Sequence, residues 1–365
     1  MITTVASGWA DRYHNADHPK LRQMKRVKFI WAILILASCK KDTQSGPSIY
    51  VSGSVTNFIG PYSDGNALQW VNGNTTNLQK ISTYGLANSI FVSGTDVYVA
   101  GVQAVNGTSL ATYWKNGEPV VLSDSNATKS AVANCIFISG ADVYVAGYEL
   151  KSNGVGSAVY WKNGVEVNLT PLSPPYPPSP TNTFFIYSLG QYANATGIAV
   201  SSTGDVYVAG TDRYITAAFW KNGVITQLAD TGIISFAQGL YVSGSDVYVA
   251  GIANNTACYW KNGVFNGLPN GSSATANAIF VSGSDILVAG NGNGPVYWKN
   301  GSQTRLGSNG YDVANGIFEY GNDVYVAGTY DRAAVYWKNG VPVSLSTGPG
   351  TLAGGYSWAT SVYVK

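Results

Sequence analysis

Charged side chains are scarce in this sequence: Asp, Glu, Lys and Arg together make up only 11% of its 365 residues. Proteins that bind nucleic acid present clustered Lys and Arg to the phosphates, so the composition argues against a nucleic-acid partner. Segments with helical periodicity of useful length are lacking too. Hydrophobic residues reach 45%, so a chain of this length can bury a large core beneath a surface of Ser, Thr, Asn and Gly.

Histidine is limited to His14 and His18, which both lie ahead of a segment that we predict to be cleaved. The mature chain then has no His, which excludes Ser-His-Asp and Cys-His catalytic sets and an imidazole metal site. Cys135 and Cys258 fall in different repeats, so we expect two buried thiols and no disulfide. No metal or cofactor is predicted. Outside the turns, the acidic residues show no spacing that would pair them for glycoside hydrolysis.

A long apolar run occurs near the start, in "MKRVKFIWAILILASCKKD" at residues 24–42. A basic stretch followed by a short apolar stretch is typical of a secretory signal peptide, which we place at residues 24–38. The letters "LASC" that end at Cys39 resemble a bacterial lipobox, in which Cys39 is lipidated and becomes the mature N-terminus. The alternative is an ordinary cleaved signal with a chance cysteine.

Four short words recur in a fixed order along the rest of the chain, which is the signature of a repeat protein. They are represented by "ANSIFVSG" (87–94), "DVYVAG" (96–101), "ATYWKNG" (111–117) and "PVVLS" (119–123). Each word is rich in β-branched or aromatic residues and is bounded by turn residues, as strands are. Seven copies of each strand predict an all-β fold, a seven-bladed β-propeller of four-stranded antiparallel blades.

The ends of the repeat region predict how the propeller closes. The region begins on a second strand, "SIYVSG", and finishes on a first strand, "ATSVYVK" at residues 359–365. We therefore expect the C-terminal strand to complete the first blade, which removes two unpaired sheet edges.

The predicted organisation of the chain has four parts. They are a misassigned upstream extension at 1–23, with the true start at Met24, the signal peptide at 24–38, a linker at 39–47 and the propeller at 48–365.

We interpret the repeated word that contains Trp as structural, with a role in the turn and in packing. Its Asn-Gly pair is the preferred type I′ hairpin turn, because both residues tolerate positive φ. The Trp is expected to pack against the adjoining blade, with a sugar-binding Trp as the alternative. The Asp that opens most second strands is expected to bond the backbone of a tight turn, with a calcium site as the alternative. The residues concerned are Trp70, Trp114, Trp161, Trp220, Trp260, Trp298, Trp337, and Asp96, Asp142, Asp205, Asp246, Asp285, Asp323.

Function is expected at the face that carries the second-to-third and fourth-to-first loops, because these loops vary while the other turns are uniform. The largest insertion, residues 170–194, lies there and contains a stiff polyproline segment. The candidate ligand-binding residues are Tyr84, Tyr192, Tyr311, Tyr356, Asn88, Asn134, Gln238, Asn277, Asn315, Arg213 and Arg332, with Thr196 and Thr360 in the amide position of the other first strands. The alternative is structural, with amides that satisfy buried strand ends and tyrosines that cover loop bases.

The Asp box of sialidases does not occur, and neither the kelch double-glycine signature nor the WD40 dipeptides recur in the repeats. Over residues 24–365 the chain resembles seven-bladed β-propeller lipoproteins of the Bacteroidetes type. The resemblance implies a cell-envelope location, as an outer-membrane lipoprotein that faces the periplasm or the surface, and it implies no activity.

We predict a non-catalytic, monomeric binding module for a glycan or protein ligand, anchored in the membrane by its lipid. One alternative is a polysaccharide lyase or hydrolase that uses Tyr, Arg and acidic residues of the variable face. Another is a purely structural surface protein.

Overall fold

The computed structural model describes residues 46–59, 62–79, 84–154, 156–170, 193–230, 232–346 and 355–365. The predicted extension, the signal peptide, Cys39, most of the linker, Tyr192 and most of the 170–194 insertion lie outside these residues. Every regular element in the described residues is a β-strand, so the all-β prediction is confirmed. The described part of the chain contains no helix with the length and apolar character needed to cross a bilayer.

Five four-stranded antiparallel sheets and one eight-stranded sheet account for the 28 strands in the described residues. The first sheet has the order β28-β1-β2-β3, with β1 at Ile49–Ile59, β2 at Tyr62–Val71, β3 at Asn74–Asn77 and β28 at Tyr356–Val364. The next four-stranded sheet contains β12 (Asn194–Val200), β13 (Val206–Thr211), β14 (Ala217–Lys221) and β15 (Val224–Gln227). It is followed by β16 (Ser235–Ser243), β17 (Asp246–Ala253), β18 (Thr256–Lys261) and β19 (Val264–Ser272). Then come β20 (Thr275–Ser282), β21 (Asp285–Asn291), β22 (Pro295–Lys299) and β23 (Ser302–Arg305), and last β24 (Val313–Tyr320), β25 (Asp323–Tyr330), β26 (Ala333–Lys338) and β27 (Val341–Ser344).

The eight-stranded sheet consists of two antiparallel runs of four strands. The first run is β4 (Gly85–Ser93), β5 (Asp96–Val105), β6 (Thr108–Lys115) and β7 (Glu118–Val121). The second run is β8 (Thr128–Ser139), β9 (Asp142–Lys151), β10 (Gly156–Lys162) and β11 (Val165–Asn168). One parallel pair, Ser109 with Ser130, joins the runs. We refer to each run as a sheet, because its strands pair in the same order as those of the four-stranded sheets.

The C-terminal strand pairs where the sequence predicts. β28 is antiparallel to β1, with Val364 opposite Ile49. At the edge of this ladder the N–H of Ser48 donates to the carbonyl of Lys365 at 2.7 Å, and the N–H of Lys365 donates back to Ser48 at 3.1 Å. Both ends of the repeat region therefore build the first sheet.

The strand that begins each repeat contacts its counterpart in the next repeat. These strands are β4, β8, β12, β16, β20, β24 and β28, and β28 also contacts β4. Small residues allow a close approach between them. A Cβ on Gly239 would lie 2.9 Å from the Cα of Ala278, and a Cβ on Gly316 would lie 2.9 Å from the Cα of Ser361. The first strands therefore pack side by side with almost no space for side chains at these positions.

The core lies between neighbouring sheets, and each sheet contributes one Trp to it. Trp260 is 1% exposed and packs with Tyr207, Ala209 and Leu228 of the preceding sheet. All seven tryptophans of the repeated word are at most 1% exposed. The predicted packing role of this Trp is therefore confirmed.

The same packing explains the Gly that ends "DVYVAG". A Cβ on Gly101 would lie 1.9 Å from the carbonyl oxygen of Leu86 and 3.0 Å from Cζ3 of Trp114. Real Cβ atoms do not tolerate such distances from backbone, so a side chain here would push the second strand away from the first. The Trp word and the Gly word are thus parts of one packing arrangement.

Candidate ligand-binding face

Two kinds of connection lie at opposite ends of the antiparallel strands. The turn face carries the connections from first to second strand and from third to fourth strand, including the seven Asn-Gly turns. In these turns Asn has φ of 50° to 53° and Gly has φ of 81° to 85°, which confirms the type I′ prediction. The loop face carries the connections from second to third strand and from each sheet to the next.

On the turn face, the Asp of the second strand binds side chains of the neighbouring Asn-Gly turn. Asp246 accepts hydrogen bonds from Nδ2 of Asn262 and Nζ of Lys261, both at 2.8 Å. The Asp was expected to bond the backbone of its own turn, but Oδ1 of Asn262 takes the nearby N–H of Val247 instead. The same set recurs as Asp96-Lys115-Asn116, Asp142-Lys162-Asn163, Asp205-Lys221-Asn222, Asp285-Lys299-Asn300 and Asp323-Lys338-Asn339.

These contacts hold both partners in their charged forms. Hydrogen bonds from Lys261 and Asn262 lower the pKa of Asp246, and those to Asp246 and Tyr248 raise the pKa of Lys261 to about 12. Lys261 also lies 5.2 Å from the ring centre of Tyr248. The ionised groups of the turn face are therefore engaged in contacts within the fold, in line with the structural role predicted for the Asp.

The polar residue after each leading Ala occupies a β-bulge. The register of β4 and β5 shifts between Ala87 and Ser89, so Asn88 has no partner in the ladder. Its Nδ2 donates instead to the carbonyl of Ala133 on the next first strand at 2.9 Å. Equivalent bonds of 2.8 to 2.9 Å run from Asn134 to Ala195, Thr196 to Ala237, Asn277 to Ala314, Asn315 to Ala359 and Thr360 to Ala87.

Gln238 has the same bulge position, but among the described residues it makes no such bond. The bonds fit the structural alternative, in which these side chains join neighbouring strands. A part for Asn88, Asn134, Gln238, Asn277 and Asn315 in ligand binding stays a prediction.

Aromatic rings form a series across the first strands near the turn face. The ring-centre distances are 5.0 Å for Phe137–Phe91, 5.3 Å for Phe91–Tyr363, 4.9 Å for Tyr363–Phe318, 4.6 Å for Phe318–Phe280 and 4.9 Å for Phe280–Tyr241. The remaining first strand has Ala199 at this position. Burial raises the pKa of both Tyr241 and Tyr363. Sequence reasoning overlooked the series, although a ring occurs four positions after the leading Ala in six of the seven first strands.

Predicted site residues come together at one place on the loop face. Cζ of Arg332 lies over the ring of Tyr356, 5.1 Å from its centre. Tyr311 is 84% exposed, and Tyr330, which sequence reasoning did not single out, is 41% exposed next to the turn that carries Arg332. We call Tyr311, Tyr330, Arg332 and Tyr356 the Tyr-Arg patch.

A buried carboxylate holds the turn that presents Arg332. Asp312 is 2% exposed and accepts the N–H of Asp331 at 2.8 Å. Burial raises the pKa of Asp312, while hydrogen bonds from the backbone of Asp331 and Arg332 oppose this shift. Because Tyr311 directly precedes Asp312, the same contact places Tyr311 beside the turn.

A second guanidinium borders the Tyr-Arg patch. Nη1 of Arg305 donates to the carbonyl of Asn293 at 2.9 Å. The segment that follows Arg305 contacts the patch, since a Cβ on Gly307 would lie 3.3 Å from Cε2 of Tyr330. Within the described part of the chain, neither Arg305 nor Arg332 forms an ion pair with an acid.

The other predicted residues are held by local contacts. Tyr84 is half-buried, burial raises its pKa, and a Cβ on Gly65 would lie 2.9 Å from its ring. Asp212 is buried and accepts from the N–H of Tyr214 and from Nε2 of Gln227, at 2.9 and 2.8 Å. Nη2 of Arg213 is buried without a partner in the described residues. Tyr84 and Arg213 thus stand apart from the contacts that assemble the patch.

Sequence reasoning also missed a pair of carboxylates on β9 and β11. Glu149 is 2% exposed, accepts a hydrogen bond from Thr128 and lies 3.0 Å from Nζ of Lys151. Lys151 lies 2.9 Å from Glu166. Burial alone would raise the pKa of Glu149, but the hydrogen bonds outweigh burial and lower it, whereas burial and the nearby Glu149 raise the pKa of Glu166. Lys151 thereby neutralises a buried acid and ties β9 to β11.

Comparison with known proteins gives fold-level likenesses only. No protein-family model matches the chain, and no curated protein matches its sequence. The computationally designed Ika8 protein is 14% identical, with a TM-score of 0.46, over 86% of this chain and 91% of its own. The WD40 β-propeller domain of Doa1 is 15% identical, with a TM-score of 0.42, over 73% and 83%. A prolyl endopeptidase is 13% identical, with a TM-score of 0.43, over 86% and 50%.

Proposed function

We propose that the chain is a closed, seven-bladed β-propeller and a non-catalytic binding module, with a glycan or protein ligand on its loop face. Three series of contacts support the closed propeller. The first strands contact one another in succession, bulge side chains bond from one first strand to the next, and aromatic rings follow the same order. Thr360 and Tyr363 of the C-terminal strand belong to the last two series, which argues for closure by that strand.

The contrast between the two faces carries the functional proposal. On the turn face, the Asp and the Lys of six repeats form an ion pair with each other. On the loop face, Tyr311 is 84% exposed, and the guanidinium of Arg332 lies over a Tyr ring and forms no ion pair with an acid in the described residues. Exposed Tyr and Arg groups on a rigid scaffold are typical of recognition surfaces, because Tyr gives a large contact area at a small ordering cost and Arg supplies charged hydrogen-bond donors. We therefore assign ligand binding to the loop face.

Binding fits the Tyr-Arg patch better than catalysis does. The buried acid next to it, Asp312, is occupied by backbone N–H groups of the turn. A general acid or base must instead reach a proton on the substrate. A lyase or hydrolase that uses Tyr, Arg and acidic residues of this face remains the alternative, and incubation of each bound glycan with the protein, followed by analysis of chain length, distinguishes the two.

Tyr311→Ala is expected to weaken ligand binding at least about tenfold and to leave the free energy of unfolding nearly unchanged, because the ring is exposed. A glycan array identifies the ligand, and calorimetric titration compares the two proteins. The matched control is Tyr320→Ala, which removes a Tyr that is 45% exposed at the other end of the strand that follows Tyr311. Equal binding by the Tyr311 variant would show that the ring is not part of the binding surface. A large loss of its stability would show that the ring belongs to the core of the fold.

The cell-envelope location is proposed from the sequence alone, by the basic and apolar run that ends in "LASC" at Cys39. Stable anchoring needs more than one acyl chain, as bacterial lipoproteins have. Labelling with a palmitate analogue tests the proposal, which is refuted if Cys39→Ala is labelled as strongly as the parent.

A further inference from the structure

We infer that the Tyr-Arg patch recognises the carboxylate of an acidic sugar, such as a uronic acid unit of a polysaccharide. The inference rests on the proposed binding function and names its ligand class. Two observations lead to it: an exposed Arg that lies over a Tyr ring and forms no ion pair with an acid among the described residues, and the strained backbone of this Arg in its turn.

The stacking of Arg332 prepares it for a carboxylate. Its Cζ lies 5.1 Å from the ring centre of Tyr356, and the residue is exposed. A guanidinium that rests on an aromatic ring keeps the N–H groups at its rim available, and these match the two oxygens of a carboxylate. Little side-chain entropy is then lost when the ligand binds.

The turn that carries Arg332 holds this residue against its own backbone preference. Asp331 and Arg332 have φ of 50° and 67°. In the equivalent turn between β5 and β6, the chain uses Asn106 and Gly107, with φ of 51° and 81°. Asn-Gly is the favoured pair for such a turn, whereas a long side chain in the left-handed region is strained.

The backbone bonds to buried Asp312 offset this strain and fix the turn. A two-residue hairpin needs no Arg, so the turn alone does not account for the side chain at position 332. Strained residues that their surroundings hold in place are characteristic of binding and catalytic sites. The local architecture therefore supports a ligand that uses Arg332.

A saccharide suits this surface better than an acidic peptide. Tyr311, at 84% exposure, offers a flat apolar ring with a hydroxyl, which suits a pyranose ring and its OH groups. Arg305 supplies a second cation at the border. β25 and β26 are each paired on both sides, so neither offers a free edge that a peptide could extend as an added strand.

The test uses the full chain and calorimetric titration with two probes, oligogalacturonate and its methyl ester, which has the same sugar ring without the charge. We expect the ester to bind at least about tenfold more weakly. Arg332→Gln should weaken oligogalacturonate binding by a similar factor. The double variant Asp331→Asn, Arg332→Gly should lose binding as well while its melting temperature stays the same or rises, because it installs the pair found at Asn106-Gly107.

Lys129→Gln is the charge-matched control, because Lys129 is an exposed cation near the loop-face end of β8 and outside the patch; its affinity should change less than about twofold. An equal loss of affinity in this variant would show that binding depends only on the net charge of the protein, and it would overturn the inference. Equal binding of the ester, or no effect of Arg332→Gln, would overturn it too.

Two further outcomes bear on the class of the ligand. Binding of poly-glutamate as tight as that of oligogalacturonate, with the same dependence on Arg332, would refute the sugar class. A neutral glycan that depends on Tyr311 and not on Arg332 would leave the binding module standing and refute the acidic ligand.

Discussion

A protein that lacks residues 359–365 is expected to lose cooperative unfolding and to aggregate. The deletion removes most of β28, including Val362 and Val364, which are buried in the cluster with Trp70 and Tyr325. It leaves the long edge of β1 unpaired and separates β4 from its neighbour, because β28 contacts β1, β4 and β24. Unpaired edges of this kind pair with other chains. Thermal unfolding followed by circular dichroism, together with size-exclusion chromatography, measures both effects.

Removal of residues 1–45 is the control, because all 28 strands of the described residues belong to the compact unit Gly46–Lys365. This shortened chain should unfold at the temperature of the parent. If the protein without residues 359–365 remains monomeric and melts like the parent, the C-terminal strand does not close the propeller.

Trp260→Ala is expected to lower the free energy of unfolding by about 3–5 kcal/mol. Trp260 is 1% exposed and fills the space between its own sheet and the preceding one, against Ala209 and Leu228. Its indole nitrogen has no hydrogen-bond partner in the described residues, so the loss is one of packing. Urea unfolding measures the change, and affinity for the glycan should be unaffected wherever the variant is still folded.

Val264→Ala is the matched control for this substitution. Val264 begins the next strand of the same sheet and is 66% exposed. Its replacement should alter the free energy of unfolding by less than about 0.5 kcal/mol. If the two variants were equally stable, the Trp of the repeated word would not be the residue that joins the sheets.

Much of the fold could be predicted because the repeats restate the same local chemistry. Asn262-Gly263 and its six equivalents specify one turn type, and the Trp two residues before each Asn marks the buried strand. The placement of "ATSVYVK" beside β1 followed from counting strands in each repeat. Both inferences use short-range patterns, which are the ones that sequence preserves most directly.

Contacts between repeats were harder to foresee. Asn88 lies at a bulge and turns its amide to Ala133, 45 residues away, and nothing in the word "ANSIFVSG" distinguishes this from an amide that faces solvent. The partner of Asp246 was also misjudged, because Lys261 reaches it only after the second and third strands have paired.

The contacts of the Tyr-Arg patch were the hardest to predict from the sequence. Arg332 and Tyr356 were each proposed as ligand-binding residues, yet their contact depends on the start of β28, where the N–H of Ser357 donates to the carbonyl of Arg332 in the turn between β25 and β26. Tyr330 was overlooked because it simply ends a strand in the sequence. The left-handed backbone of Arg332 could not be expected either, since a long side chain disfavours it.

Hydrogen exchange of the full chain, with and without the glycan that the array selects, tests most directly whether the loop face binds the ligand. Peptides that cover residues 306–313 and 329–334 should exchange more slowly in the presence of glycan, because these segments carry Tyr311, Tyr330 and Arg332 of the Tyr-Arg patch. Peptides over the Asn-Gly turns should be unchanged. Slower exchange at the Asn-Gly turns, with none at the two loop-face segments, would contradict the account and place the binding surface on the opposite face.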